Sequence, residues 1–339
     1  MYNAKYLSSL YNHNLIKQII WYGIGIFIFI VSKCINTKNI FKYSFILYII
    51  SIVLLIYVLM FGKVINGAKA WITIKRLSFQ PSELTKLSLA IMLSDLACKF
   101  KSTGIKSEFL FLLKVAILIL IPSVLVFLEP DSGAIIFFLV ITLAILMFSD
   151  IHKFWFTIIF ILIALFIGGF ILLYLYNKDL LISLIGTSFF YRVERLITFK
   201  TMSSYQLENA LIAMGSSSLL GTGLSKVSLY IPEAPTDFIF AFSISNFGYF
   251  CGFIILLCYF LMDLFLINKI INMKKNTLKY ILISFTSIFL FGQIINIGMN
   301  LGLLPIIGIP LPFLSYGGST LIIYFTFLSI IFNSFEKSY

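Results

Sequence analysis

Nine long apolar runs, joined mostly by short loops in which many of the lysines stand, constrain this chain more than any other feature. A segment crossing hydrocarbon has no water to bond its backbone, so it must be helical and needs about 20 mostly apolar residues. Residues 15–33, 43–62, 81–100, 110–128, 132–149, 154–176, 237–268, 278–302 and 313–334 meet that requirement. They predict an all-α polytopic membrane protein, one helical bundle over residues 1–339. A single long, more polar stretch, 177–236, has room for a large extracellular loop. Only 11% of residues are charged, against about 25% in soluble domains, which excludes a water-soluble fold.

The net charge of +12 would suggest a nucleic-acid partner in a soluble protein. Here membrane topology accounts for it, because basic loops are retained on the cytoplasmic side. Counting alternate loops puts the richer set, including Lys33, Lys38, Lys42, Lys99, Lys101, Lys106, Lys153, Lys269, Lys274 and Lys275, in the cytoplasm. The opposite loops, among them 177–236, then face outward, and no nucleic-acid partner is expected. Four cysteines and two histidines are scattered without metal-ligand spacing, so no structural zinc site is expected either.

Ionisable groups inside spans are costly and each is a candidate for function. Glu83 and Lys86, three residues apart, can pair on one helix face, as a structural ion pair or as part of a polar path. Asp95 and Asp263, toward the cytoplasmic ends of their runs, read as solvated or snorkelling. Asp237 stands where the long outer stretch enters the membrane. It can cap the helix that follows, or it can act as a base toward a substrate at the membrane mouth, near Arg192, Arg195 and Lys200.

Five blocks in this sequence resemble a known family. The first runs from Gly67-Ala68-Lys69-Ala70-Trp71 to Ser78-Phe79-Gln80-Pro81-Ser82-Glu83-Leu84-Thr85-Lys86, and the second is Glu129-Pro130-Asp131-Ser132-Gly133. The third links Tyr191-Arg192, Tyr205-Gln206, Ala213-Met214-Gly215-Ser216 and Gly221-Thr222-Gly223. The fourth is Tyr230-Ile231-Pro232-Glu233-Ala234-Pro235-Thr236-Asp237-Phe238-Ile239-Phe240-Ala241. The last joins Asn296-Ile297-Gly298, Gly302-Leu303-Leu304-Pro305, Gly308-Ile309-Pro310-Leu311-Pro312 and Ser315-Tyr316-Gly317-Gly318-Ser319. Together they resemble the SEDS family, which includes RodA, FtsW and SpoVE.

The resemblance implies a peptidoglycan glycosyltransferase that polymerises lipid II, an undecaprenyl-diphosphate-linked disaccharide-pentapeptide, at the outer face of the bacterial cytoplasmic membrane. It implies Asp237 as the essential carboxylate and general base. Lys69, Arg76, Arg192 and Arg195 are its candidates for the diphosphates, and a divalent cation, magnesium or manganese, could assist. Glu83 and Lys86 would hold the central cavity in shape. The implied partner is a class B penicillin-binding protein, and the implied role is elongation, division or sporulation. Family members carry ten spans, so the first is expected to be missing here. The glycine and proline residues of the last block predict a re-entrant turn more than a substrate contact.

Some positions depart from the family pattern. Ala70 replaces an arginine, Pro235 a histidine, Ser245-Asn246 an acidic pair, and Ser217 and Ser218 two glycines. Asp237 is retained, which predicts activity. Ser225-Lys226 with the fourth block resembles FtsW or SpoVE, whereas Gly308-Ile309-Pro310-Leu311-Pro312 resembles RodA. Two other functions stay open, a lipid II flippase and an inactive scaffold of the cell-wall synthesis complex.

Overall fold

The computed structural model describes residues 4–32, 37–65, 68–74, 77–187, 205–223 and 230–336, together with 190, 193, 194 and 197. Each predicted span holds one helix. These are α1 (Ala4–Ser32), α3 (Ser44–Phe61), α4 (Pro81–Lys99), α5 (Ile105–Leu128), α6 (Ser132–Met147) and α7 (Phe154–Tyr176). They are followed by α10 (Ile239–Asn272), α11 (Thr277–Asn300) and α12 (Gly318–Glu336). Short helices α2 (Thr37–Lys42), α8 (Lys178–Ile185) and α9 (Tyr205–Gly215) complete the described helices. Six of them are long and apolar enough to cross a membrane on length and composition alone. The chain is a multi-pass membrane protein.

A small antiparallel sheet adds to the expected all-helical architecture. Strands β1 (Lys63–Ile65), β2 (Ala68–Ile74) and β3 (Leu77–Phe79) pair in the order β1-β2-β3 between α3 and α4. The register sets Ile72 opposite Phe79, which delivers the chain directly to Pro81 at the start of α4. Proline suits that position because the first helical N–H has no partner to lose.

α11 is the central helix, packed against α4, α6, α10 and α12. Its stripe of Tyr280, Phe285, Ile288 and Phe289 is buried with Phe137, Phe138 and Ile141 of α6 and Leu89, Ile91 and Leu93 of α4. α1 lies along α12: Gln18 Nε2 donates to Ser315 O at 3.1 Å, the Tyr22 hydroxyl to Phe313 O, and Asn333 Nδ2 to Ser32 O at 3.0 Å. α7 buries none of its residues, as a helix bathed in lipid can.

α10 breaks at Gly248, whose φ of +85° lies in the left-handed region. The break strands backbone groups, and the segment after α9 pairs with them. Thr222 and Gly223 N–H donate to Ser245 O and Asn246 O, while Phe250 N–H donates to Leu219 O, at 3.0–3.2 Å. A Cβ on Gly248 would stand 2.1 Å from Leu219 O, so only glycine allows this approach. Part of the stretch 177–236 is thereby tied to the N-terminal half of α10.

Of the two acids expected toward the cytoplasmic ends of their runs, one sits differently from its expectation. Asp263 accepts from Gln293 Nε2 of α11 at 3.0 Å, a contact between helices in place of a snorkelling side chain. Asp95 pairs at 2.5 Å with exposed Lys99 and follows the expectation.

Candidate active site

One cavity of about 310 Å³ opens at the end of the bundle that the loop charges assign to the outer face. The sheet, α4, the start of α6, the turn before α10 and the segment between α11 and α12 build it. Its lining includes Trp71, Gln80, Glu83, Lys86, Asp131 and Asp237.

Asp237 stands in a turn, 233–238, ahead of α10. The turn closes on itself through Asp237 N–H to Glu233 O at 3.0 Å, with Glu233 at φ +52°. Its carbonyls are then gripped one after another. Tyr316 N–H donates to Pro235 O at 2.7 Å, the Ser315 hydroxyl to Thr236 O at 2.5 Å, and Asn296 and Asn300 Nδ2 to Asp237 O at 3.0 and 2.9 Å. The last sequence block therefore folds as the clamp of the fourth. Pro235, which lacks the family's histidine side chain, still supplies its carbonyl to this clamp.

The carboxylate of Asp237 has no hydrogen-bond partner among the described residues and is only half-buried. It does not cap α10; Phe238 holds the cap position, with no side-chain hydrogen bond. Of the two readings of Asp237, the capping one is thus excluded by the geometry. Burial first, and the neighbouring Glu233 charge second, raise its pKa from 3.8 to about 6. A carboxylate so placed is ionised at neutral pH yet basic enough to take a proton.

Gly308 makes room beside it. Its φ is +75°, and a Cβ there would lie 3.5 Å from Asp237 Oδ2. Pro310 and Gly317 also line the cavity, so the re-entrant segment forms part of the site's wall as well as a turn.

The Glu83–Lys86 pair forms as the sequence predicts, at 2.6 Å, with side chains 8% and 6% exposed. Lys86 Nζ also sits 4.1 Å from the centre of the Phe137 ring. The pair faces the same cavity as Asp237, on the first turns of α4. Lys69 is placed elsewhere: its ammonium donates to Leu59 O and Met60 O, at 2.8 and 3.0 Å, and it is not part of the cavity lining. It caps the C-terminal end of α3, a common duty for lysine. Arg76, Arg192 and Arg195 lie outside the described residues.

Asp131 is a cavity residue to which sequence reasoning assigned no role. Gln80 Nε2 and the Ser82 hydroxyl donate to its Oδ2 at 2.6 and 3.0 Å, and Ala134 N–H to Oδ1 at 3.3 Å. Its signal was the short Glu129-Pro130-Asp131 block, whose charges fall between two apolar runs. Glu129 beside it is fully buried, and neither of its carboxyl oxygens is hydrogen-bonded among the described residues. Burial, then repulsion from Asp131, raises its pKa to about 8, so it is neutral at pH 7.

Among the described residues no three His, Cys, Asp or Glu side chains cluster as metal ligands. Magnesium binding through one or two carboxylates, with water and substrate phosphate supplying the rest, would need no such cluster.

Fold and site together define a class: polytopic helical membrane proteins with a carboxylate poised in a cavity at one bundle end. The model of the family described as cell cycle protein, FTSW_RODA_SPOVE, matches residues 1–338, and the chain belongs to that family. Similar proteins include one named "Probable peptidoglycan glycosyltransferase FtsW" from Wigglesworthia glossinidia brevipalpis. It is 33% identical, over 94% of this chain and 82% of that protein. Its namesake from Buchnera aphidicola subsp. Baizongia pistaciae is 35% identical, over 91% and 80%. In structure, the chain resembles the rod shape determining protein RodA of Thermus thermophilus, with a TM-score of 0.67 and 25% identity over 96% of this chain and 88% of that one. A component of a peptidoglycan synthase complex aligns with a TM-score of 0.79 and 24% identity, over 96% and 90%.

Proposed function

We propose that this protein is a peptidoglycan glycosyltransferase that polymerises lipid II at the outer face of the cytoplasmic membrane. The observation that carries the reading is the Asp237 carboxylate, half-buried in the lining of a cavity between helices and with no hydrogen-bond partner among the described residues. In the reaction the Asp237 carboxylate takes the proton of the acceptor sugar's 4-hydroxyl. The oxygen so activated attacks the anomeric carbon of the donor, and the bond from that carbon to the diphosphate breaks. The diphosphate departs on its lipid with the electron pair, and the membrane holds both lipid-anchored substrates side by side.

The leaving group needs positive charge. Among the described residues lining the cavity, Lys86 is the only cation, and Glu83 neutralises it. That requirement falls on Arg76, Arg192 and Arg195, or on a divalent cation. A class B penicillin-binding protein is the expected partner, and elongation, division or sporulation the setting; relatives named FtsW favour division.

A flippase would place polar groups along a path through the bilayer. The buried Glu83–Lys86 pair is the feature that favours it, but the pair shares one cavity with Asp237 at one end of the bundle. Vesicles carrying the purified protein, its transpeptidase partner and labelled lipid II separate the two. Glycan strands support the polymerase; lipid II crossing the bilayer with no glycan overturns it.

A further inference from the structure

The first turn of a helix leaves four N–H groups without partners, and aspartate is among the residues that best satisfy them. Asp237 stands one residue ahead of the cap of α10, close enough to turn onto that terminus, yet its carboxylate makes no such bond. The need is met from another helix. Ala241 N–H, in the first turn of α10, donates to Asn300 Oδ1 of α11 at 3.0 Å. The same amide donates through Nδ2 to Asp237 O at 2.9 Å and to Asn296 O at 2.8 Å. One turn earlier, Asn296 Nδ2 donates to Asp237 O at 3.0 Å and to Ile309 O at 2.8 Å. Both asparagines are 0% exposed.

We infer that Asn300, supported by Asn296, is a positioning residue for Asp237. It caps α10 from α11 and pins the Asp237 carbonyl, which keeps the Asp237 carboxylate off the helix terminus and turned into the cavity. Only an amide does both, because it carries a donor and an acceptor in one rigid group. A carboxylate at 300 could cap Ala241 but would face the carbonyls of Asp237 and Asn296, and an alkyl group could do neither. The consequence for catalysis rests on the polymerase reading; the consequence for the carboxylate itself does not.

Without Asn300 the first turn of α10 loses its cap, and the Asp237 carboxylate, one residue ahead of the cap position, is an acceptor able to replace it. Once bonded to backbone N–H groups at a helix N-terminus, its charged form is favoured and its pKa falls. Other ionisable groups around it stay in place: Glu233 in its own turn, Glu83 and Lys86 on α4, Asp131 ahead of α6, and Tyr316 beyond α11.

The test is carbodiimide modification of Asp237, read by peptide mass spectrometry across pH, on full-length protein in detergent. Wild type should titrate near pH 6. Asn300→Ala should titrate lower by about one pH unit or more, with glycan formation losing at least roughly tenfold in kcat and little in KM. Asn300→Ser, which keeps a short acceptor, serves if the alanine variant does not fold. An unchanged midpoint in a folded variant, or glycan formation reduced only in proportion to the folded fraction, overturns the inference. A wild type that makes no glycan overturns the polymerase reading instead, and the labelling midpoint still decides the positioning role.

Discussion

Replacing Asp237 by asparagine should stabilise the fold while abolishing activity, and the gain should depend on pH. The folded-state pKa of Asp237 is raised, from 3.8 to about 6, so the folded protein binds this proton more tightly than the unfolded chain. Stability contributed by the protonated form is complete below pH 4 and is lost as pH rises through about 6. A rise of that size corresponds to about 3 kcal/mol between the two protonation states. Because the residue keeps some contact with solvent, screening reduces this to roughly 1–2 kcal/mol. Asp237→Asn removes the charge and keeps the shape, so it should recover that amount at pH 7.5 and almost nothing at pH 4. For a chain of this size the gain is a few degrees in Tm. Thermal unfolding of wild type and variant in one detergent at both pH values measures it. A shift of equal size at the two pH values, or a loss at pH 7.5, would refute the claim that Asp237 is an ionised group held against its solvation.

Other consequences follow from the same geometry. Glu233→Gln removes a charge that raises the Asp237 pKa, so the acid limb of the rate profile should move to lower pH with the plateau kept; a move upward contradicts it. Lys86→Met leaves the Glu83 carboxylate buried alone and should cost about 3–5 kcal/mol, most of which Glu83→Gln restores in the double variant. A thermal double-mutant cycle that finds coupling below about 1 kcal/mol would mean that water, not Lys86, holds Glu83. Gly308→Val forces a β-branched residue to φ +75° and sets its side chain against Asp237, so glycan formation should fall by at least roughly tenfold while the helix content measured by circular dichroism is unchanged.

The helices were legible in the sequence because hydropathy reports which segments can lie in lipid. Their ends were not. The run expected at 237–268 begins at Ile239 and continues to Asn272 past the break at Gly248, since apolar content does not register a glycine that reverses φ. The run expected at 313–334 starts as a helix only at Gly318; residues 313–317 belong to the segment that clamps Asp237. The sheet over 63–79 went unread because its strands are three to seven residues long, too short to show a period.

Within the site, Asp237 and the Glu83–Lys86 pair were legible from their motifs and spacing. Lys69 was expected at the diphosphates from its motif; its ammonium instead bonds the last carbonyls of α3, while Ala68, Ala70 and Trp71 line the cavity. Asn296 opens the last block but with no role attached, and Asn300 is an uncharged residue in an apolar run, so the sequence does not show that they hold a turn about 60 residues earlier.

Glycan formation by wild type and Asp237→Asn, with the transpeptidase partner and labelled lipid II present, is the most direct measurement of all. Base catalysis by Asp237 predicts glycan strands from the wild type, half-maximal near pH 6 and rising above it, and none from the folded variant. Strands of equal yield from both proteins would show that the proton leaves by another route, and the site built around Asp237 would then lose its chemical role.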